Sequence, residues 1–301
     1  MTRPIVVFGG SGYLGSALVR ELVEAGRATR LVARHPAWPH WAESGDPLEL
    51  MAADIRREDE VAAALEGAAA VVNAVSLYVE TRELGFEAIH VEGASRLARL
   101  AREAGIDRLV QLSGIGVEEG SPSTYIRARV RGERAVLAAM PRAIIVRPSV
   151  LFGPDDAFLG GLARLARLPA IPLFGRGETR LQPVHVIDAA RALARLTGPE
   201  APVRRLFELG GGDVLRYREI VELVMARLGR ERPLVPVPFW LWRPLAGGLS
   251  LLPNPPLTRD QVILMQHDNV VADGVGTFDD LGLRPRSLRE GLPNSLASPA
   301  R

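Results

Sequence analysis

The sequence predicts a doubly wound α/β domain with a smaller C-terminal α/β lobe, and three observations carry that prediction. Short apolar runs alternate with helical periods through the first half of the chain, the pattern of right-handed βαβ crossovers and a parallel sheet covered on both faces. A glycine cluster, Gly9-Gly10-Ser11-Gly12-Tyr13-Leu14-Gly15, follows the first apolar run and opens the first helical period. After Pro148 prolines break the rhythm, at Gly153-Pro154, Leu168-Pro169 and Ile171-Pro172. The later elements are too few and too interrupted for a second sheet of similar size.

Taken in order, strands are expected at residues 5–8, 29–33, 48–53, 70–74, 108–113 and 143–147, where Val, Ile, Leu and Ala run together as strands buried on both faces require. Helices are expected between them at 14–25, 58–66, 86–104 and 125–139. The second half reads as a helix at 188–196, a strand at 205–209, a helix at 217–228, a proline-rich apolar stretch, a short helix at 258–266 and a frayed tail at 295–301. Residues 1–150, with a return of about 175–200, are assigned to the first domain. Residues 151–174 and 201–294 are assigned to the smaller lobe, which closes over the cleft.

The chain has 301 residues, 47% apolar and 24% charged, which excludes a disordered, collagen-like or coiled-coil protein. It has no cysteine, so a disulfide framework, an iron–sulfur centre, thiolate zinc and a cysteine nucleophile are excluded. Its 37 basic residues, against 35 acidic, are all Arg. Without Lys there is no Schiff-base chemistry, and a net charge of +2 gives no reason to expect nucleic acid. The five histidines, at 35, 40, 90, 185 and 267, lack ligand spacing, so no metal is expected. The N-terminus shows no apolar signal region, and the nearest spanning candidate, 234–252, is interrupted by Pro236, Pro238, Arg243 and Pro244. A cytoplasmic protein is expected, peripheral at the inner face of a membrane if segment 239–252 touches one.

Glycines at 9, 12 and 15, after a strand and before a helix, let the chain turn, let backbone N–H groups approach a pyrophosphate and let helix pack on sheet. Gly9, Gly12, Tyr13, Leu14 and Gly15 are therefore candidate cofactor contacts, and residues 1–150 read as a Rossmann-type dinucleotide-binding domain. The second strand ends in Arg34 rather than an acid; an Arg there accommodates a ribose 2′-phosphate, which favours NADP(H), with NAD(H) the alternative. Asp54-Ile55 stands where a carboxylate meets the adenine amino group and an apolar side chain the ring, or where Asp54 caps the next helix. Asn73-Ala74 ends the fourth strand beside the expected cofactor.

Together with Ser113, Tyr125, Arg147-Pro148-Ser149, Phe152-Gly153-Pro154 and Pro183-Val184-His185-Val186-Ile187-Asp188, these residues resemble the extended short-chain dehydrogenase/reductase superfamily, of the NAD-dependent epimerase/dehydratase type. Ser121-Pro122-Ser123-Thr124-Tyr125 and Pro255-Pro256-Leu257-Thr258-Arg259-Asp260-Gln261-Val262 are similar to the atypical branch that includes the nucleotide-binding accessory subunit of respiratory complex I and its bacterial relatives. The resemblance implies bound NADPH, with Pro148 at the cofactor, Tyr125 and Ser113 at the reacting oxygen and His185 on the substrate side. In the superfamily a Lys four residues after the Tyr lowers its pKa and binds the nicotinamide ribose. Here Arg129 stands at that position, a cation that does not readily relay protons. Two readings stay open: an NADP(H)-holding accessory or scaffold protein, and an active oxidoreductase or epimerase-like enzyme using Tyr125, Ser113 and Arg129.

Ser113 lacks a Gly-x-Ser-x-Gly setting, which argues against a serine hydrolase. Asp188 reads equally as a helix cap. The aromatic cluster at 239–242 packs in a core or faces a protein partner or membrane. Segment 239–252 is expected to form a short amphipathic helix, broken near Pro244, with Trp240 or Trp242 partly exposed.

Overall fold

The computed structural model describes residues 3–198, 200, 202–249 and 257–296. In chain order the elements are β1 (Ile5–Phe8), α1 (Tyr13–Glu24), β2 (Thr29–Ala33), β3 (Leu48–Ala52), α2 (Glu58–Leu65), β4 (Ala70–Asn73), a π-helical segment (Glu87–Gly93) that runs on as α3 (Ala94–Glu103), β5 (Leu109–Leu112), α4 (Thr124–Ala139) and β6 (Ile144–Pro148). The chain continues through β7 (Leu151–Phe152), α5 (Ala157–Leu165), β8 (Ile171–Phe174), β9 (Arg180–Leu181), β10 (Val184–His185), α6 (Val186–Leu196), β11 (Leu206–Leu209), β12 (Leu215–Arg216) and α7 (Tyr217–Arg227). It ends with β13 (Leu234–Val237), α8 (Phe239–Leu249), α9 (Arg259–Leu264), a 3-10 turn (Asp279–Leu281) and α10 (Leu288–Ser295).

Seven strands form one parallel sheet in the order β11-β6-β5-β4-β1-β2-β3. The chain winds outward from β1 to β3, then crosses back to β4 and winds the other way, so the strand order reverses between β1 and β4. Ligands of open α/β sheets sit outside the carboxyl ends of the strands at such a reversal. Alternate residues of β1 feed two cores: Ile5 and Val7 face α1 and α6, whereas Val6 and Phe8 face α2 and α3. That two-sided burial is why the predicted strands read as unbroken apolar runs.

The second lobe has its own core of Phe152, Leu159, Ile171, Leu173, Tyr217 and Ile220, stitched by three two-stranded pairings, β7 with β10, β8 with β13 and β9 with β12. Strand β11 corrects the sequence reading, which placed it in this lobe. It pairs with β6 and closes the main sheet, its Phe207 bridging to Gly276. The tail also begins later than expected, because Ser295 ends α10 and its hydroxyl donates to the Gly291 carbonyl at 2.9 Å; residues 297–301 lie outside the described residues.

Helix α8 is a third difference. Pro244 does not break it, although a proline there removes the donor for the Trp240 carbonyl. The helix is held from outside: Trp242 is 8% exposed, its indole N–H donates to the Leu173 carbonyl at 3.1 Å, and it packs on Phe174, Ala246 and Val262. Trp240, two residues earlier, is 72% exposed. The end of segment 239–252 lies outside the described residues. No described helix is long and apolar enough to cross a membrane.

Candidate functional site

The glycine loop lies at the strand-order reversal. Gly9 and Gly10 donate to the Val32 carbonyl at 2.9 and 3.2 Å, and Gly12 donates to the Gly9 carbonyl at 2.9 Å. Gly9 has φ +76°, and a Cβ on it would sit 2.8 Å from the Ala74 carbonyl. A Cβ on Gly15 would run into the Gly9 carbonyl oxygen. These two glycines are needed by the fold itself. Gly12 is different: its backbone is extended (φ −76°, ψ 170°), and an added Cβ would meet only the Gly9 oxygen, at 3.2 Å. The space a side chain would fill there lies over the first turn of α1, which has neither a side-chain cap nor an acidic residue. A helix start left this way presents unpaired N–H groups and a positive dipole end, suited to a phosphate.

Leu14 is buried in the α1 core, so only its backbone is available to a ligand. The Tyr13 phenol reaches the second lobe, close enough to Gly153 that a Cβ there would lie 2.7 Å from its oxygen. Burial first, then the charges of Asp156 and Asp155, hold that phenol well above the usual tyrosine range.

Arg34 follows β2 directly and is exposed, with no hydrogen-bond or ion-pair partner among the described residues. Asp54 does not cap α2, whose N-cap is Arg57 without a side-chain bond. Its carboxylate instead accepts from the Arg56 backbone N–H, Nε and Nη2 at 2.9, 3.0 and 2.7 Å. Those bonds hold it below the ordinary carboxylate range against its partial burial, and the Arg34 charge adds to the effect. Ile55, expected beside the adenine ring, is buried against Gly93 between α2 and the π-helical segment, with its side chain in the core. The Asn73 amide is likewise turned into the sheet, donating to Gln111 Oε1 at 2.9 Å and accepting from Val75 N–H at 3.2 Å. Ala74 lines the reversal through its carbonyl, and half-buried Pro148 ends β6 with its carbonyl accepting from Ile115 N–H at 3.1 Å.

Helix α4 starts at Ser123, whose hydroxyl accepts from Ile126 N–H at 3.1 Å, and this start aims Tyr125 and Arg129 at the sheet edge. Arg129 Nε donates to the Tyr125 oxygen at 3.2 Å, Nη1 to the Leu112 carbonyl at 2.9 Å and Nη2 to the Ser76 hydroxyl at 2.7 Å. The guanidinium is 5% exposed and has no carboxylate partner among the described residues. Tyr125 is enclosed by three rings: Tyr78 stacks on it at 5.8 Å, while Phe86 and His90 meet it edge-on at 5.6 and 5.7 Å. Burial raises the Tyr125 pKa, and the Arg129 charge beside it is not enough to reverse that. His90 is pushed down to about 4 by burial and then by Arg129. The sequence reading missed Ser76, Tyr78, Phe86 and His90. It chose Ser113 as the hydroxyl beside Tyr125, but Ser76 is the one bonded into the Tyr125–Arg129 network. Ser113 is 7% exposed, and its hydroxyl has no hydrogen-bond partner.

His185, expected on the substrate side, is held inside the fold. It is 3% exposed, packs edge-on to Phe152 at 5.1 Å, and its Nδ1 accepts from Ile187 N–H as the N-cap of α6. Asp188, the alternative cap, accepts instead from the Arg286 backbone and Nη2 at 2.9 and 2.8 Å. Among the described residues no three His, Asp or Glu side chains converge as metal ligands.

The NAD dependent epimerase/dehydratase family model matches residues 5–210. The chain is 34% identical over 304 residues to NADH dehydrogenase [ubiquinone] 1 alpha subcomplex subunit 9, mitochondrial, of Arabidopsis thaliana, covering 95% of this chain and 75% of that protein. It is 33% identical over 241 residues to the ceramide reductase of Caulobacter vibrioides, covering 78% and 73% respectively. The crystal structure of gox2253 superposes with a TM-score of 0.74 at 25% identity, covering 98% of this chain and 97% of that one. The cytoplasmic expectation is overturned, because the plant protein that matches almost the whole chain is named as mitochondrial. The parallel sheet, the glycine loop at its reversal and the family match across them give one answer: the chain belongs to the NAD dependent epimerase/dehydratase family, within the extended short-chain dehydrogenases/reductases.

Proposed function

We propose that the protein holds a nicotinamide dinucleotide as a lasting structural cofactor, NADP(H) in preference to NAD(H), and serves as an accessory protein within a larger assembly, with little or no catalysis through Tyr125. The observation that carries this reading is the Tyr125 phenol, enclosed by three rings and held above its ordinary pKa although Arg129 donates to it. A free tyrosine is ionised in roughly one molecule per thousand at pH 7, and burial lowers that fraction further.

The residues present fit the dinucleotide. Gly12 leaves room that the fold does not need, α1 offers uncapped N–H groups to a pyrophosphate, and Arg34 is free to meet a 2′-phosphate. Arg129, buried without a carboxylate partner among the described residues, would hold hydroxyl groups of the nicotinamide ribose. When bound, nicotinamide supplies a hydride donor or acceptor. Proton movement would fall to Tyr125, and Arg129 does not relay protons readily. The subunit designation of the plant relative supports a protein partner, and the exposed side of α8, with Trp240, Leu241 and Leu245, is the surface we assign to it in preference to a lipid surface.

The second reading, an active reductase, rests on the unpaired Ser113 hydroxyl and on the 33% identity to a ceramide reductase. Two variants separate the readings. Gly12→Val is expected to lose co-purifying NADPH and the thermal stability that comes with it, whereas Tyr125→Phe is expected to keep both. A Tyr125→Phe chain that restores a deletion strain supports the accessory role. One that folds, holds NADPH and fails to restore it makes Tyr125 a proton donor in catalysis.

A further inference from the structure

Outside the cofactor cradle, α8, α9 and the turn before α4 border an open cavity of about 190 Å³, lined by Pro122, Ile263, Gln266 and the exposed Arg243, Arg259 and His267. We propose that this cavity binds a phosphate group carried on a larger molecule.

Its chemistry is one-sided. Two guanidinium groups and an imidazole line it, and no Asp or Glu does. Neither Arg243 nor Arg259 has a hydrogen-bond or ion-pair partner among the described residues, in a chain where many of the other arginines are paired with carboxylates. The nearby acids are elsewhere: Asp268 accepts from Arg180 N–H and Nε at 2.7 and 2.8 Å, and Asp260 follows Arg259 in the chain without lining the cavity. Two like charges kept close together without a counter-charge repel each other, and an anion between them removes that repulsion.

The arrangement selects the kind of anion. Arg243 comes from α8, Arg259 from α9 and His267 from the turn after α9, so three donors line one cavity. A planar carboxylate offers two oxygens, whereas a tetrahedral phosphate can meet all three, and guanidinium groups pair with it in bidentate fashion. The Arg259 guanidinium lies against α8 at Gly247, where a Cβ would come 2.9 Å from its Nη2. Glycine at that position lets the charged group lie close to the helix. The cavity exceeds several times the ~30 Å³ of a water molecule, and Ile263 provides an apolar wall for the carbon of an ester. A phosphate monoester or diester therefore suits it better than the bare ion.

A soluble phosphate ester and a lipid headgroup share this chemistry, and titration of the full-length protein separates them. Inorganic phosphate is followed by calorimetry, and phosphatidylcholine vesicles with and without phosphatidic acid are followed by co-sedimentation. Arg243→Ala and Arg259→Ala are each expected to weaken binding by about tenfold or more. Arg20→Ala, in an exposed surface pair with Glu24, is expected to leave it unchanged. Phosphate binding with this pattern supports a soluble ligand, and binding only to phosphatidic acid vesicles with the same pattern supports a headgroup. No binding in either arm overturns the proposal, as does undiminished binding by the Arg243→Ala/Arg259→Ala double variant in a chain with wild-type thermal stability.

Discussion

Arg34 and His185 stand for the two kinds of site residue in this chain, one left free by the fold and one consumed by it. Arg34 has no partner to give up, so a ribose 2′-phosphate gains its charge-assisted bonds without breaking others. Each such bond contributes about 1.5–3 kcal/mol. NADPH is therefore expected to bind at least about tenfold more tightly than NADH, and Arg34→Ala is expected to remove that ratio in parallel titrations. Equal affinities in the wild type would reject Arg34 as the selector. His185 is committed to capping α6, and burial followed by the Arg286 charge pushes it down to about 4 from the usual 6.5. Between those two values the unfolded chain binds more protons than the folded one, so stability is full above about 6.5 and declines as pH falls toward 4. His90 contributes in the same direction. His185→Asn preserves a capping oxygen and removes the titration, so its melting temperature is expected to fall less steeply than the wild type's across that range.

At the scale of elements, helix α8 divides its tryptophans between core and surface, and each half has a measurable consequence. Trp242→Ala removes a buried indole and its bond to Leu173, and is expected to lower unfolding free energy by about 3–5 kcal/mol. Trp240→Ala is expected to change stability by less than about 0.5 kcal/mol while weakening partner association. Equal losses in denaturant titration would contradict the division. The same element shows what a sequence reveals and what it hides. Strands β1, β4 and β5 were legible because burial on both faces forces nearly continuous apolar runs. The glycine loop was legible because a turn into a helix start restricts the residues allowed. Strand β11 was legible as a strand but not in its sheet, since the four residues Leu206, Phe207, Glu208 and Leu209 do not name their neighbour. The enclosure of Tyr125 was hidden altogether: Ser76 meets Arg129 across 53 residues, and nothing in the local pattern at 76–90 signals a partner so distant. The π-helical turn that brings His90 to Tyr125 also escapes a reading based on the 3.6-residue period.

At the scale of the whole molecule, the C-terminal segment is fastened back across the main domain. Asn269 receives the Ser149 hydroxyl at 2.5 Å and donates to the Ile115 carbonyl at 3.0 Å, and Ala272 N–H donates to Glu208 at 2.9 Å. Arg286 grips buried Asp188. Arg286→Ala leaves that carboxylate with a single backbone donor from Arg286. It is expected to cost about 1–3 kcal/mol, read by urea titration, with faster proteolytic nicking of the released C-terminal segment. Unchanged unfolding and digestion would mean that the fastening contributes nothing.

Tyr13 joins these scales. Its backbone belongs to the turn that faces a pyrophosphate, and its phenol rests on the Gly153 corner where the second lobe begins. Filling the cradle and seating the lobe are thus two edges of one thermodynamic cycle, and the free energy along one must reappear along the other. Under the proposed accessory role, a partner that favours the seated lobe would raise the affinity of the cradle for the dinucleotide by way of this ring. Loss of the dinucleotide would then weaken the proposed partner by the same factor, and an assembly built on that contact would register an empty cradle without any chemistry taking place in it.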